Sequence, residues 1–191
     1  MGPDSTPSLQ SLVSLATTAL LLLASGCATT SGGFEAGWFT RTIKLEGPAG
    51  RSSQTLLYRT GPAQAGWGTG QAPPGDFAYY NSSFGATVYA NSSCGKKYDD
   101  SPLTVLSNHL TMGFEDVEQV EQNAGELSGR GSLERISKAN LDGVPIMLAT
   151  TVVKKDICVF DLILISRPDS FEAALTDYRS LRDGFEARFE R

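Results

Sequence analysis

VPIMLATTVVKKDICVFDLILI, residues 144–165, is the stretch on which the fold turns. Val144 to Val153 and Ile157 to Ile165 are the most apolar runs outside the N-terminal segment, and only Lys154-Lys155-Asp156 turns between them. In the second run Cys158, Phe160, Leu162 and Leu164 fall on one side, and Ile157, Val159, Ile163 and Ile165 on the other. A strand apolar on both sides belongs in the centre of a sheet that is covered on both faces. Asp161 interrupts it. A buried carboxylate must be paired or hydrogen-bonded, so Asp161 is either a structural ion-pair partner or part of a site.

Working upstream, Ser132 to Asp142 fits a short helix or a half-exposed strand by spacing alone. The Asp142-Gly143 pair that follows is a hairpin signal and decides for strand. Ser128-Gly129-Arg130-Gly131 is a turn, and Glu115 to Glu126, polar with only Val117 and Val120, reads as an edge strand or a partly exposed strand. These four strands are flanked by helices. Ser101 can cap the first, Pro102 occupies its first position, and Leu103, Leu106 and Leu110 keep helical spacing, with Met112 and Phe114 at its end. The second is expected over Pro168 to Arg191, where Phe171, Leu175, Tyr178, Leu181 and Phe185 form one apolar stripe; Gly184 weakens its last turn.

Further upstream the chain predicts strands at Trp38 to Glu46 and Leu56 to Tyr58, and a pair at Asp76 to Tyr80 and Phe84 to Ala90 joined by Asn81-Ser82-Ser83. Gly61 to Gly75, with five Gly and three Pro, is a surface loop on which Trp67 tucks back onto the body. Its GWGTG has no strand running into it, no helix after it and no Lys-Ser/Thr pair, so the context of a nucleotide-binding loop is missing. Adjacent strands joined by short turns pair antiparallel, so the expected fold class is α+β: a mainly antiparallel sheet with two packing helices. The order of elements from Trp38 to Arg191, with SPLTVLSNHL and CVFDLILI followed by a helix, looks like the PsbP/Mog1-like α/β/α sandwich. That resemblance implies an accessory or binding protein without a common set of catalytic residues, and no site residue is carried over from it.

The N-terminus speaks to location. Leu12 to Leu23 is a mostly apolar run that ends in Ala24-Ser25-Gly26 and then Cys27, the order of a secretory h-region and its cleavage site. Cysteine directly after small residues resembles the lipobox of bacterial lipoproteins. The resemblance implies cleavage of residues 1–26 as a signal peptide and lipidation (palmitate included) of Cys27. Ala28 to Gly37 follows as a flexible tether, and residues 38–191 form a single domain. The segment departs from the pattern in lacking any Lys or Arg before the apolar run and in carrying Ala24 where Leu is commoner. Ala28 after the cysteine, rather than Asp, implies sorting to the periplasmic face of the outer membrane.

Removing 26 of 191 residues leaves 165, enough for one core, at a net charge of −4, because Asp4 is the only charged residue removed from a total of −5. Mild acidity with scattered basic residues excludes a nucleic-acid partner as the working expectation. With Cys27 lipidated in an oxidising compartment, Cys94 and Cys158 form an even pair and are expected to be disulfide-bonded.

No catalytic, cofactor or metal motif stands out. His109 is the single histidine and has no second ligand at metal spacing. Cys94 with His109 would make a thiol–imidazole pair only if Cys94 were free. Asp99-Asp100 and Glu115-Asp116 lack the spaced pattern of a calcium loop. The leading expectation is therefore a membrane-anchored, non-enzymatic accessory lipoprotein of the cell envelope that docks onto a protein partner. The alternatives are a periplasmic carrier of an apolar small molecule or lipid, and a hydrolase with an unrecognised site. A cavity beside Ile163 and Tyr178 would favour the carrier, and an exposed patch of Trp67, Tyr79, Tyr80 and Tyr89 would favour docking.

Overall fold

The computed structural model describes residues 32–35, 37–47, 50–70, 75–95, 98 and 100–190; the apolar N-terminal segment, Cys27 and Asp99 lie outside them. Among the described residues, eleven strands and two α-helices are ordered as follows. Strands β1 (Gly33–Glu35), β2 (Trp38–Gly47), β3 (Gly50–Arg59), β4 (Gly68–Gly70), β5 (Phe77–Asn81) and β6 (Ala86–Cys94) lead into helix α1 (Leu103–His109). A meander of β7 (Glu115–Leu127), β8 (Arg130–Leu141), β9 (Val144–Lys155) and β10 (Cys158–Ser166) precedes helix α2 (Phe171–Asp183) and strand β11 (Glu186–Glu190). The fold is α+β and every strand pairing is antiparallel.

Two sheets form. Seven strands run in the order β4-β5-β6-β10-β9-β8-β7, and four in the order β1-β2-β3-β11. β10 lies at the centre of the large sheet because its apolar sequence tolerates neighbours on both edges. Its meander is set by local chemistry: Ser128-Gly129 and Asp142-Gly143 both have positive φ at the two turn positions, the geometry that tight hairpins need.

Alternation along β10 then assigns its side chains to two faces. Phe160, Leu162 and Leu164 are buried on one, beneath Phe171, Ala174, Leu175, Tyr178 and Leu181 of α2. The small sheet packs on this same face through Phe39, Ile43, Leu56, Tyr58 and Ala187. Rings of Tyr58 and Phe160 meet edge-on at 5.2 Å, and those of Phe160 and Phe185 at 5.1 Å. The other face is covered by α1, whose Leu106 packs on Val152 and Val159.

Three expectations are corrected. First, β10 is not covered on both sides along its length: Asp161, Ile163 and Ile165 on the α1 face are only half-buried, because α1 is short and packs on β8 and β9. Second, the closing helix stops at Asp183, and Glu186–Glu190 becomes a strand hydrogen-bonded to β3. Gly184 approaches Gly61 so closely that any side chain at either position would collide with backbone, and Gly61 N–H donates to Leu181 C=O at 2.7 Å. The chain must turn there, and the alternation of buried Ala187 with exposed Glu186 and Arg188 suits a half-buried strand. Third, the first helix ends at His109, and Met112 stands 75% exposed in the turn that follows. Pairing also begins inside the stretch read as tether, where Gly33–Glu35 pairs with Trp38–Thr40.

Candidate functional site

Cys94 and Cys158 are directly paired in register between β6 and β10 and are joined by a disulfide. Cys94 therefore offers no thiol to His109, which is exposed on α1. Trp67 is buried, as the loop reading expects, with its indole N–H donating to Asp177 at 2.8 Å. The aromatic patch expected for docking is divided by the large sheet. Trp67 and Tyr79 are buried in the α2-side core, whereas Tyr80 is 55% exposed and Tyr89 half-exposed on the α1 face. Ile163 and Tyr178 likewise lie on opposite faces of β10, so they line no common cavity. Tyr178 is fully buried and donates toward Thr151 and the Leu162 carbonyl. Among the described residues no group of three His, Cys, Asp or Glu is placed to hold a metal ion.

What the structure assembles instead is a half-open surface on the α1 face, beyond the reach of α1. Strand alternation aims Tyr80 of β5, Tyr89 and Asn91 of β6, and Asp161 and Ile163 of β10 at it, with Asp161 opposite Asn91 and Ile163 opposite Tyr89. Burial pushes the Asp161 carboxyl up to about 7, and the Asn91 side-chain hydrogen bond opposes this only in part. The surface thus has an apolar and aromatic border around one carboxyl that changes charge near neutral pH.

Two polar clusters missed in the sequence hold the layers together. Asp76 Oδ2 accepts from Tyr58 O–H at 2.6 Å and Ser92 O–H at 2.5 Å, while Arg41 lies 3.3 Å from Asp76 Oδ1 and donates to the Ser92 carbonyl at 2.6 Å. This clasp joins the small sheet to the large one; burial and the neighbouring Asp76 charge raise Tyr58 well above the usual tyrosine range. On the other side of α2, Glu134 of β8 accepts from Arg179 at 2.7 Å and from Arg182. They border a polar cleft of about 370 Å³ with Asn123, Ser132, Thr151 and Asp183. Its charged groups are paired with one another, Arg179 and Arg182 with Glu134 and Arg182 also with Asp183.

No protein-family model matches the chain, and no curated protein sequence does. Solved structures do resemble it. LpqN of Mycobacterium tuberculosis, described as involved in cell envelope biogenesis, superposes with a TM-score of 0.54 at 13% identity, covering 80% of this chain and 92% of that one. The cyanobacterial PsbP (CyanoP) of Synechocystis sp. PCC 6803 gives a TM-score of 0.49 at 12% identity, over 82% and 96% of the two chains. At these identities the likeness to LpqN is one of fold.

Proposed function

We propose that this protein is a lipid-anchored accessory protein of the cell envelope, held by Cys27 and acting by docking a partner onto the open half of its large sheet. The observation that carries the docking is that half-open surface: Tyr80, Tyr89 and Ile163 are left partly exposed on a sheet whose opposite face is packed, across β5, β6 and β10, against α2 and the small sheet. Rigid aromatic side chains on a sheet lose little freedom on binding and suit a protein partner. The anchor rests on the order of residues 12–27, and the Cys94–Cys158 bond is in keeping with an oxidising compartment. The envelope role of LpqN, a fold neighbour, agrees with this compartment. A carrier role has less support, because the layer between α2 and the sheet is filled by Phe160, Leu162, Leu175 and Tyr178.

Radioactive palmitate labelling of cells expressing the wild type and Cys27→Ala tests the anchor. Label and membrane association in the wild type alone are expected; unlabelled soluble protein from both would sink it. A photocrosslinking residue at Tyr80, compared with one at exposed Thr176 on α2, tests the docking face. A discrete adduct from position 80 only is expected, and equal or absent adducts would count against it.

A further inference from the structure

Beneath α1, three elements each place at least one polar residue where their own pattern calls for an apolar one, and β8 places two, Arg135 and Ser137. On α1, Leu103, Leu106, Ser107 and Leu110 form the i, i+3, i+4, i+7 stripe that faces the sheet, and Ser107 is fully buried in it. On β9 the α1-facing series is Ile146, Leu148, Thr150, Val152, and Thr150 is 1% exposed. On β8 it is Leu133, Arg135, Ser137, Ala139, and Arg135 is 9% exposed.

These three meet. Arg135 and Thr150 are directly opposite in the β8–β9 ladder, which places their Cβ atoms roughly 5 Å apart. Asn108, next to Ser107, receives a hydrogen bond from Arg135 Nη1 at 2.5 Å. Yet Arg135 Nε, Ser107 Oγ and Thr150 Oγ1 are buried with no hydrogen-bond partner among the described residues. The guanidinium's other bonds go to neutral amide oxygens, Asn108 and Gln122 at 2.9 Å, and no described carboxylate pairs with it. Asp161, on the same face in β10, lies one strand further away and pairs in the ladder with Val152 rather than Thr150. Buried donors are ordinarily satisfied and buried charges ordinarily paired, so two unmet hydroxyls near a guanidinium with an unmet N–H of its own mark a place built for a guest.

We propose that Arg135, Ser107 and Thr150 form a binding site for a small oxyanion, a carboxylate or a phosphate group, beneath the C-terminal half of α1. The N–H of Arg135 and the two hydroxyls are all donors to such a group, and its charge offsets that of the guanidinium. Asn108 and Gln122, both exposed, accept from the two Nη groups of Arg135 and mark the side on which the guanidinium comes nearest to solvent. α1 suits a movable cover: it is seven residues long, its N-cap Pro102 makes no side-chain capping bond, and Gly113 follows it with φ +98°. The site does not rest on the lipid anchor, and it adjoins the docking surface, because Thr150 is directly opposite Ile163 in the β9–β10 ladder.

The test is titration of the mature, disulfide-bonded protein at fixed ionic strength with inorganic phosphate and, separately, with acetate, using chloride as control. Thermal melting and the Arg135 Nε–H resonance are followed. A saturable rise in Tm and a saturable shift of that resonance are expected with at least one of the two ions, and the ion that acts tells which chemistry the site takes. Thr150→Val and Ser107→Ala place apolar groups in apolar stripes, so both variants should fold, with an unliganded Tm equal to or above the wild type; each should weaken binding about tenfold. Arg135→Gln should abolish the response. A wild type that responds to neither ion beyond chloride, or a Thr150→Val/Ser107→Ala double variant that binds as the wild type does, would overturn the proposal.

Discussion

Asp161 shows how a single residue reports its surroundings. Its carboxyl is raised to about 7 in the folded protein by burial, above the ordinary value of an unfolded chain, so the native state holds the proton more tightly. The stability this contributes is fully present below the unfolded value near 4 and is lost as pH rises through about 7. Thermal or denaturant melts at pH 5 and pH 8 should therefore show the wild type less stable at pH 8, and Asp161→Asn should shrink the gap by roughly 2 kcal/mol, a figure discounted for screening at a half-exposed site. An unchanged gap in the variant would assign the dependence elsewhere. Asp76 has a different role, as the centre of the clasp between the sheets: loss of its charge removes the ion pair from Arg41, which keeps the Ser92 carbonyl, and weakens the acceptor of the Tyr58 and Ser92 hydroxyls. Asp76→Asn is expected to cost about 3 kcal/mol in urea unfolding. The sequence signalled Asp161, a lone carboxylate in an apolar run. It did not signal Asp76, Arg135 or Ser107, because each sits in a stretch where a polar residue is unremarkable until its face is known.

At the scale of elements, the closing segment is the instructive case. The stripe from Phe171 to Leu181 is helical, and Phe185 continues it by count while lying outside the helix. What separates them is the contact between Gly184 and Gly61, a meeting of residues more than a hundred positions apart that no local pattern carries. Gly61→Ala should push α2 and the loop apart and lower stability by about 2 kcal/mol, read by circular dichroism melting. A neutral result would mean the backbone yields there. By contrast the strands of the β7–β10 meander were legible, although spacing alone left Ser132 to Asp142 open and β8 begins two residues inside the stretch read as a turn: turns with positive φ at Ser128-Gly129 and Asp142-Gly143, an exposed polar β7 and the apolar run of β9 are short-range features.

For the molecule as a whole, one core joins both sheets and α2, with the Cys94–Cys158 bond at the junction of β6 and β10. Reduction, or the Cys94→Ala/Cys158→Ala pair, should lower stability by about 4 kcal/mol in the chain-entropy limit for a loop of this length. The two tryptophans report on separate places: Trp38 on the small sheet, between Arg59 at 4.6 Å and Arg188 at 4.5 Å, and Trp67 against Asp177 of α2. Unfolding followed by fluorescence in Trp38→Phe and Trp67→Phe should give coincident transitions if the shared core makes one cooperative unit, and separated midpoints if the small sheet melts alone.

By itself the sequence determined the α+β class, the antiparallel meander, the two helical stretches and the central place of Cys158 to Ile165, since these depend on periodicity and turn chemistry within a few residues. The tertiary structure alone decided that the strands divide into two sheets, that residues 186–190 return to pair with β3, and that the two aromatic pairs face opposite ways. It also decided which polar residues become buried beneath α1. Those outcomes rest on contacts between distant segments, whose free energy comes from burying faces against each other, and a face has no identity until its partner is in place.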